Sequence, residues 1–259
     1  MIHISKRLET AAGLVGTGKR LADVGTDHGY VPIYLMEQGR IPCAVAMDIN
    51  RGPLARAREH IRRYGMESYI QTRLSDGVAA LEMGEADSIL IAGMGGGLII
   101  HILESGSELC KSVSELVLQP QSELMRVRRF LDENGYVVEA EKMVKEDGKY
   151  YPMMRVHYEP SGNGEILSEN GMLPATDGET VQEERELYYR YGRFLLEQKH
   201  PVLYDYLLWE RNIQEGIRKQ LRGQEAAGQI AARLAEVEHT LEQNKKALAY
   251  FDAEALGQD

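Results

Sequence analysis

Residues 23–30 read Asp-Val-Gly-Thr-Asp-His-Gly-Tyr, directly after the apolar-leaning run Arg20-Leu21-Ala22. A buried strand that ends in a glycine turn and opens a helix is a cradle for a small ligand. Glycine lets the backbone approach closely, and the helix start offers free N–H groups. This turn lacks the full G-x-G-x-x-G spacing of dinucleotide sites, because Thr26, Asp27 and His28 separate Gly25 from Gly29. An acid in its centre suits a cationic ligand better than a pyrophosphate. The competing reading is that Asp27 caps the helix that follows.

Outward from this loop, strand and helix patterns alternate. Residues 20–25, 43–48, 69–74, 86–93 and 114–120 read as strands; 31–38, 52–64, 98–105 and 122–134 read as helices. The run at 86–93 is apolar in the manner of a strand covered on both faces. Asp147-Gly148 then joins two strand-like runs, 136–147 and 149–159, with the signal of a tight hairpin. Five β/α units that end in an antiparallel hairpin predict an α/β protein. The arrangement is similar to the class I (Rossmann-like) fold of S-adenosylmethionine (SAM) methyltransferases, a mostly parallel seven-stranded sheet. Asp48 ends the second strand, where a carboxylate accepts hydrogen bonds from ribose hydroxyls; Ser75-Asp76-Gly77 follows the third strand, and Gly93-Met94-Gly95-Gly96-Gly97 ends the fourth. NAD stays open on these facts; the loop spacing argues for SAM.

Residues 160–182 are rich in Gly, Ser, Asn and Pro. The expected organisation is a catalytic domain at 1–160, a linker or insertion at 161–182 and a helical domain at 183–259. In that tail Ile213, Ile217, Leu221, Ile230, Leu234, Val237, Leu241 and Leu248 fall mostly at spacings of three, four and seven. They predict an antiparallel helical hairpin with coiled-coil character, its seam packed within one chain, and hence a monomer.

Composition narrows the classes. The chain of 259 residues is 43% hydrophobic and 27% charged, and has no 18-residue apolar run. The N-terminal stretch lacks an apolar signal core. Cys43 and Cys110 are too few for a disulfide framework, and the seven histidines show no metal-ligand spacing. The expectation is a cytoplasmic protein with no membrane and no metal. A net charge of −10 weighs against a nucleic-acid partner, but residues 1–160 carry only −3 of it. Arg51, Arg56, Arg62 and Arg63 follow the second strand. They are either a phosphate-binding patch near the cofactor mouth or a solvated helix face.

Five motifs carry a resemblance: DVGTDHGY, AMDIN (46–50), LSDGVAAL (74–81), IAGMGGGLI (91–99) and LQPQ (118–121). Together they resemble the TrmK family of bacterial tRNA methyltransferases, and the likeness extends to LLEQKHPVLYDYLLWE (195–210) in the tail. The resemblance implies methylation of N1 of adenine 22 in the tRNA D-loop, with SAM as donor. It implies SAM contacts at Gly25, Thr26, Asp27 and His28, ribose recognition at Asp48 beside Ile49, and adenine recognition at Asp76 and Gly77. Gly93, Met94 and Gly95 would line the junction of donor and base. The family loop usually reads DHAY and its fifth-strand motif LQPN, so Gly29 and Gln121 are departures.

N1 of adenine has a free lone pair, so the task is mainly to align it with the methyl group. An acceptor for the exocyclic amine would select adenine and stabilise the cationic product. Asp27, the Met94–Gly95 backbone and Gln119 are the candidates; the expectation is backbone plus Gln119, with Asp27 beside the amino-acid end of SAM. Tyr30 either stacks on the extruded base or packs behind the loop. The competing functions are a small-molecule methyltransferase and a SAM-binding module that recruits a protein through its helical tail.

Overall fold

Alternating apolar residues on short strands need cover on both faces, and this chain supplies it with helices. The structure, a computed structural model, describes residues 2–160, 179–223 and 228–252. In chain order its first elements are α1 (Lys6–Leu14), β1 (Leu21–Val24), α2 (Tyr30–Glu37), β2 (Ala44–Asp48), α3 (Arg51–Arg63), β3 (Ile70–Leu74) and β4 (Ser88–Met94). They are followed by α4 (Gly96–Ser105), α5 (Ser107–Ser112), β5 (Glu115–Pro120), α6 (Leu124–Glu133), β6 (Tyr136–Glu146) and β7 (Lys149–Tyr158). One seven-stranded sheet has the order β3-β2-β1-β4-β5-β7-β6. β1 to β5 are parallel, and β7 pairs antiparallel with both β5 and β6.

Every residue of β1 and β5 is buried. Side chains alternate between two cores, as the strand period requires. Ala22, Val24, Ile89, Ile91, Leu116 and Leu118 pack with α4 and α6 through Ile99, Leu103, Val127 and Leu131. Leu21, Ala44, Ala46, Leu90 and Val117 pack on the other face with Ala11, Ala12, Ile33, Ala57 and Ile61. The hairpin turns at Asp147 and Gly148, whose φ values are 49° and 74°, the left-handed pair that a tight turn between twisted strands needs.

The expected elements are all present, with boundaries shifted by a residue or two. Two differences stand out. The hairpin folds back so that β7, its second strand, lies inside the sheet and β6 takes the edge. The helices α1 and α5 were not foreseen; α1 starts at Ser5, whose hydroxyl accepts the Leu8 N–H at 3.3 Å.

Contacts divide the chain into two compact units, Met1–Thr176 and Asp177–Asp259. Most of the expected linker, residues 161–178, lies outside the described residues, and its last four residues already belong to α7 (Glu179–Tyr191). The second unit continues with α8 (Arg193–Glu197), α9 (Pro201–Arg222) and α10 (Gln229–Asp252). α9 and α10 form the expected antiparallel pair, linked by Arg222–Glu238 and by Asn244 against Glu210. The expected seam is only partly right. Val237 and Leu248 are buried, but Ile213 is 46% exposed. The centre is polar: buried Glu210 accepts from Tyr191 Oη at 2.7 Å, Asn244 Nδ2 at 2.9 Å, Tyr206 Oη at 3.2 Å and Arg190 Nη2 at 3.3 Å. Among the described residues no helix is long and apolar enough to cross a membrane.

α6 is tied to β6 by a buried ion pair, Arg128 to Glu141 at 2.8 Å, with both side chains at most 5% exposed. Arg128→Ala leaves a buried carboxylate without its cation and should cost about 3–5 kcal/mol in urea unfolding. The double change Arg128→Met with Glu141→Leu should cost far less, because no charge is then stranded.

Candidate active site

Five consecutive parallel strands bring the singled-out residues to one edge. Gly25 to His28 follow β1, Asp48 and Ile49 end β2, Asp76 and Gly77 follow β3, Gly93 to Gly95 end β4, and Gln119 lies near the end of β5. Between β1 and β4 the strand order reverses, which opens a crevice between the two glycine loops. Met94 crosses this opening. Its methyl carbon occupies the place where a Cβ on residue 25 would stand, and the φ of 79° at Gly25 is the left-handed conformation that favours glycine.

The amides of Gly25 and Thr26 both donate to the Met47 carbonyl at 2.8 Å, which fixes the loop on β2. Gly29 is the N-cap of α2 and makes no side-chain cap, so Asp27 does not cap this helix. The Asp27 carboxylate is instead 60% exposed, bonded to Arg56 and 3.2 Å from His28 Nε2. His28 and Tyr30 lie against His60 of α3, with centroids 4.8–5.3 Å apart and planes within 23° of parallel. His60 Nδ1 lies 3.0 Å from the His28 carbonyl. Tyr30 therefore packs with the loop through His28 and His60.

On β2 and β3 the carboxylates face outward. Asp48 Oδ1 accepts the Asn50 amide at 2.6 Å, and Ile49 beside it is 59% exposed. Ser75 Oγ donates to the Gly77 carbonyl at 2.9 Å and accepts from Ala80, which shapes the turn that presents exposed Asp76.

Gln119 departs from expectation. Its side chain is fully buried, and Oε1 already accepts from Arg7 Nη1 at 2.7 Å and from the Gly93 amide at 3.1 Å. Both lone pairs are engaged, so it is a brace for the β4 loop and has no acceptor left for a base. The four arginines also fail to form one patch. At about 100° per residue, Arg51 and Arg62 share one face of α3 while Arg56 and Arg63 share another, and Arg51 and Arg63 stand about 18 Å apart along the axis. Arg56 is engaged by Asp27, and Arg62 by Glu67 at 3.2 Å.

Sequence reasoning passed over Asp23. An acid inside an apolar strand was the available signal. Asp23 is 7% exposed, and burial pushes its carboxyl up to about 6; the Thr26 hydroxyl opposes the shift and the charge of Asp48 adds to it. Asp23, Asp27, Asp48 and Asp76 thus all lie at the carboxyl ends of β1 to β3. That donor set fits SAM, with its sulfonium and ammonium, and does not fit a pyrophosphate.

Sheet order, crevice and strand-end acids define a methyltransferase, and a family model for the methyltransferase domain matches residues 4–154. The tRNA (adenine(22)-N(1))-methyltransferase of Bacillus subtilis is 38% identical over 153 residues, 59% of this chain and 64% of that enzyme's length. The crystal structure of the B. subtilis m1A22 tRNA methyltransferase TrmK superposes with a TM-score of 0.77 at 30% identity, over 96% of this chain and 100% of the other. A Streptococcus pneumoniae relative solved in complex with S-adenosyl-L-methionine gives 0.77 at 30% identity, over 95% and 100%. This chain belongs to the TrmK family of tRNA methyltransferases.

Asp23 gives the site a pH signature. The native carboxyl holds its proton more tightly than the unfolded chain, whose value is near 3.8. Its contribution to stability is therefore intact at low pH and is lost as pH rises through 6. Between about pH 5 and about pH 7.5, without cofactor, the native chain should lose about 1 kcal/mol that Asp23→Asn does not lose, as read by urea unfolding.

Proposed function

We propose that this protein methylates N1 of adenine 22 in the tRNA D-loop, with SAM as donor. The observation that supports it most directly is the acidic crevice at the topological switch point, in a chain of this family. SAM supplies a methyl group activated on a sulfonium. The chain's own residues do the rest. Asp48 takes the ribose hydroxyls with its open oxygen, exposed Ile49 offers an apolar face to the adenine ring, and Asp76 with Gly77 reads the ring's edge. Buried Asp23 answers the ammonium.

Two acids, one in β1 and one in the loop after it, then divide the work by burial. Asp23 is inside, against the cofactor. Asp27 is outside, at the mouth, and with Gln119 engaged it is the carboxylate placed to accept from the exocyclic amine of the target base. Arg56 and His28 hold it in place. The Met94 carbonyl already takes the Gln121 amide at 2.8 Å and keeps one lone pair. N1 lies on the Watson–Crick edge, so the target must leave its stack to reach this point. A tRNA substrate supports a cytoplasmic location.

Labelled SAM and tRNA transcripts with or without adenine 22 test the reading. Label should reach N1 only when that adenine is present; SAM binding without transfer to any tRNA would redirect the site to a small molecule or a protein partner. Within the site, Asp27→Asn should leave the SAM Kd within about twofold and lower kcat about a hundredfold, the usual size for one lost electrostatic contact. A parallel loss of SAM affinity would return Asp27 to the cofactor. SAM should also bind about tenfold more tightly at about pH 7 than at about pH 5 in the native chain, and Asp23→Asn should flatten that dependence.

A further inference from the structure

Arg7 is the cation at the crevice that the reaction described so far does not use. It sits on α1, far in sequence from every motif, yet its Nη1 donates to Gln119 Oε1 and lies 3.6 Å from where a Cβ on Gly93 would stand. Its guanidinium lies over the ring of Tyr151, 5.5 Å from the centroid. The Glu146 carboxylate nearby accepts from the backbone amide of Arg7 at 3.3 Å, not from its side chain. Among the described residues no carboxylate forms an ion pair with this guanidinium, whereas Arg56, Arg62, Arg73 and Arg126 each have one. Arg7 is half-buried, so its orientation is fixed by Gln119 and Tyr151 and not by solvent.

A guanidinium has five N–H donors, and one of them is committed to Gln119. The remainder form a charged fork beside Gly93, next to the point where a target base would meet the methyl group. Half-buried positive charge with no acid partner calls for an anion. In a site lined with carboxylates, the anion that an RNA substrate brings is its backbone phosphate, which Arg binds in bidentate fashion.

We infer that Arg7 binds the backbone phosphate adjoining the target adenosine and so sets the register of the tRNA over the crevice. The inference rests on the proposed tRNA reading. It gives the phosphate-binding role to a single pre-oriented arginine at the rim, where sequence alone had pointed to four on α3.

Because Arg7 also braces Gln119, its test must separate phosphate binding from loop support. Arg7→Gln keeps an amide donor for Gln119 and removes the charge; Arg7→Lys keeps the charge. Each full-length variant is titrated with an adenine-22 tRNA transcript over a range of salt, and separately with SAM. Arg7→Gln should weaken tRNA binding about tenfold and reduce the slope of log K against log salt by about one, the loss of one phosphate contact. Its SAM Kd should stay within about twofold of the native value, and Arg7→Lys should retain most of the slope. An unchanged slope in Arg7→Gln, or SAM affinity falling in step with tRNA affinity, would overturn the inference and leave Arg7 a loop brace. A native protein that methylates the transcript while Arg7→Gln matches it in binding sinks the inference alone. A native protein that neither binds nor methylates tRNA sinks the functional reading as well.

Discussion

At Gly93 the ladder between β4 and β5 breaks register, between the pairs Ala92–Gln119 and Met94–Pro120. A bulge leaves an amide without its strand partner and bends the chain that carries it. Here the orphaned amide finds a side chain, Gln119 Oε1, and that oxygen is shared with Arg7. Gln119 is fully buried, and its Nε2 donates to the Pro120 carbonyl at 3.3 Å, so both ends of the amide are engaged. The bend carries Met94 over Gly25 and brings Gly96 against the Ser122 carbonyl, where a Cβ would sit 2.6 Å away. The crevice, its floor and the start of α4 all depend on this one irregularity, which a strand with regular pairing would not have produced.

The same edge separates two electrostatic tasks. A sulfonium cofactor calls for acids and an RNA substrate calls for bases, and a chain of net charge −10 has little positive field to offer. The acids stand at the strand ends, and Arg7, which among the described residues forms no ion pair, stands beside Gly93. Arg56 is instead engaged by Asp27. On the role inferred for Arg7, placement does what net charge cannot, since an anchored guanidinium needs no long-range field to take a phosphate that has already arrived.

The fold was legible because its signals are local. Apolar runs, the Asp147-Gly148 turn and the glycine loops each mark their own element, whereas the insertion of β7 between β5 and β6 has no local signal. Asp48, Asp76 and the Gly93 loop could be placed for the same reason, as strand ends share one edge. What was hidden depends on contacts across the chain. Gln119 looked like a free amide because nothing near it reveals Arg7, 112 residues away. The arginines of α3 looked like a cluster because sequence proximity conceals that a helix distributes neighbours around its circumference. Asp23 was visible, as an acid in an apolar strand, but the question of what neutralises it arises only when its burial is seen. In the helical unit, an apolar heptad count concealed a polar centre at Glu210, since the residues that satisfy it come from α7, α9 and α10.

That buried acid links stability to function. A carboxyl whose proton affinity is raised by burial makes the empty protein less stable near neutral pH than a neutral isostere would. A cation delivered to the same place removes the penalty, and a ligand that binds only the folded chain adds its own stabilisation by mass action. The cost of holding Asp23 charged is thus carried by the empty state and relieved in the loaded one. Tight packing forbids β1 from turning the residue outward, because its neighbours in the strand, Ala22 and Val24, belong to the core between sheet and helices. The strand position fixes the acid, and the Thr26 hydroxyl offsets only part of the cost of its burial, which is why the proposed function gives it the cofactor's ammonium.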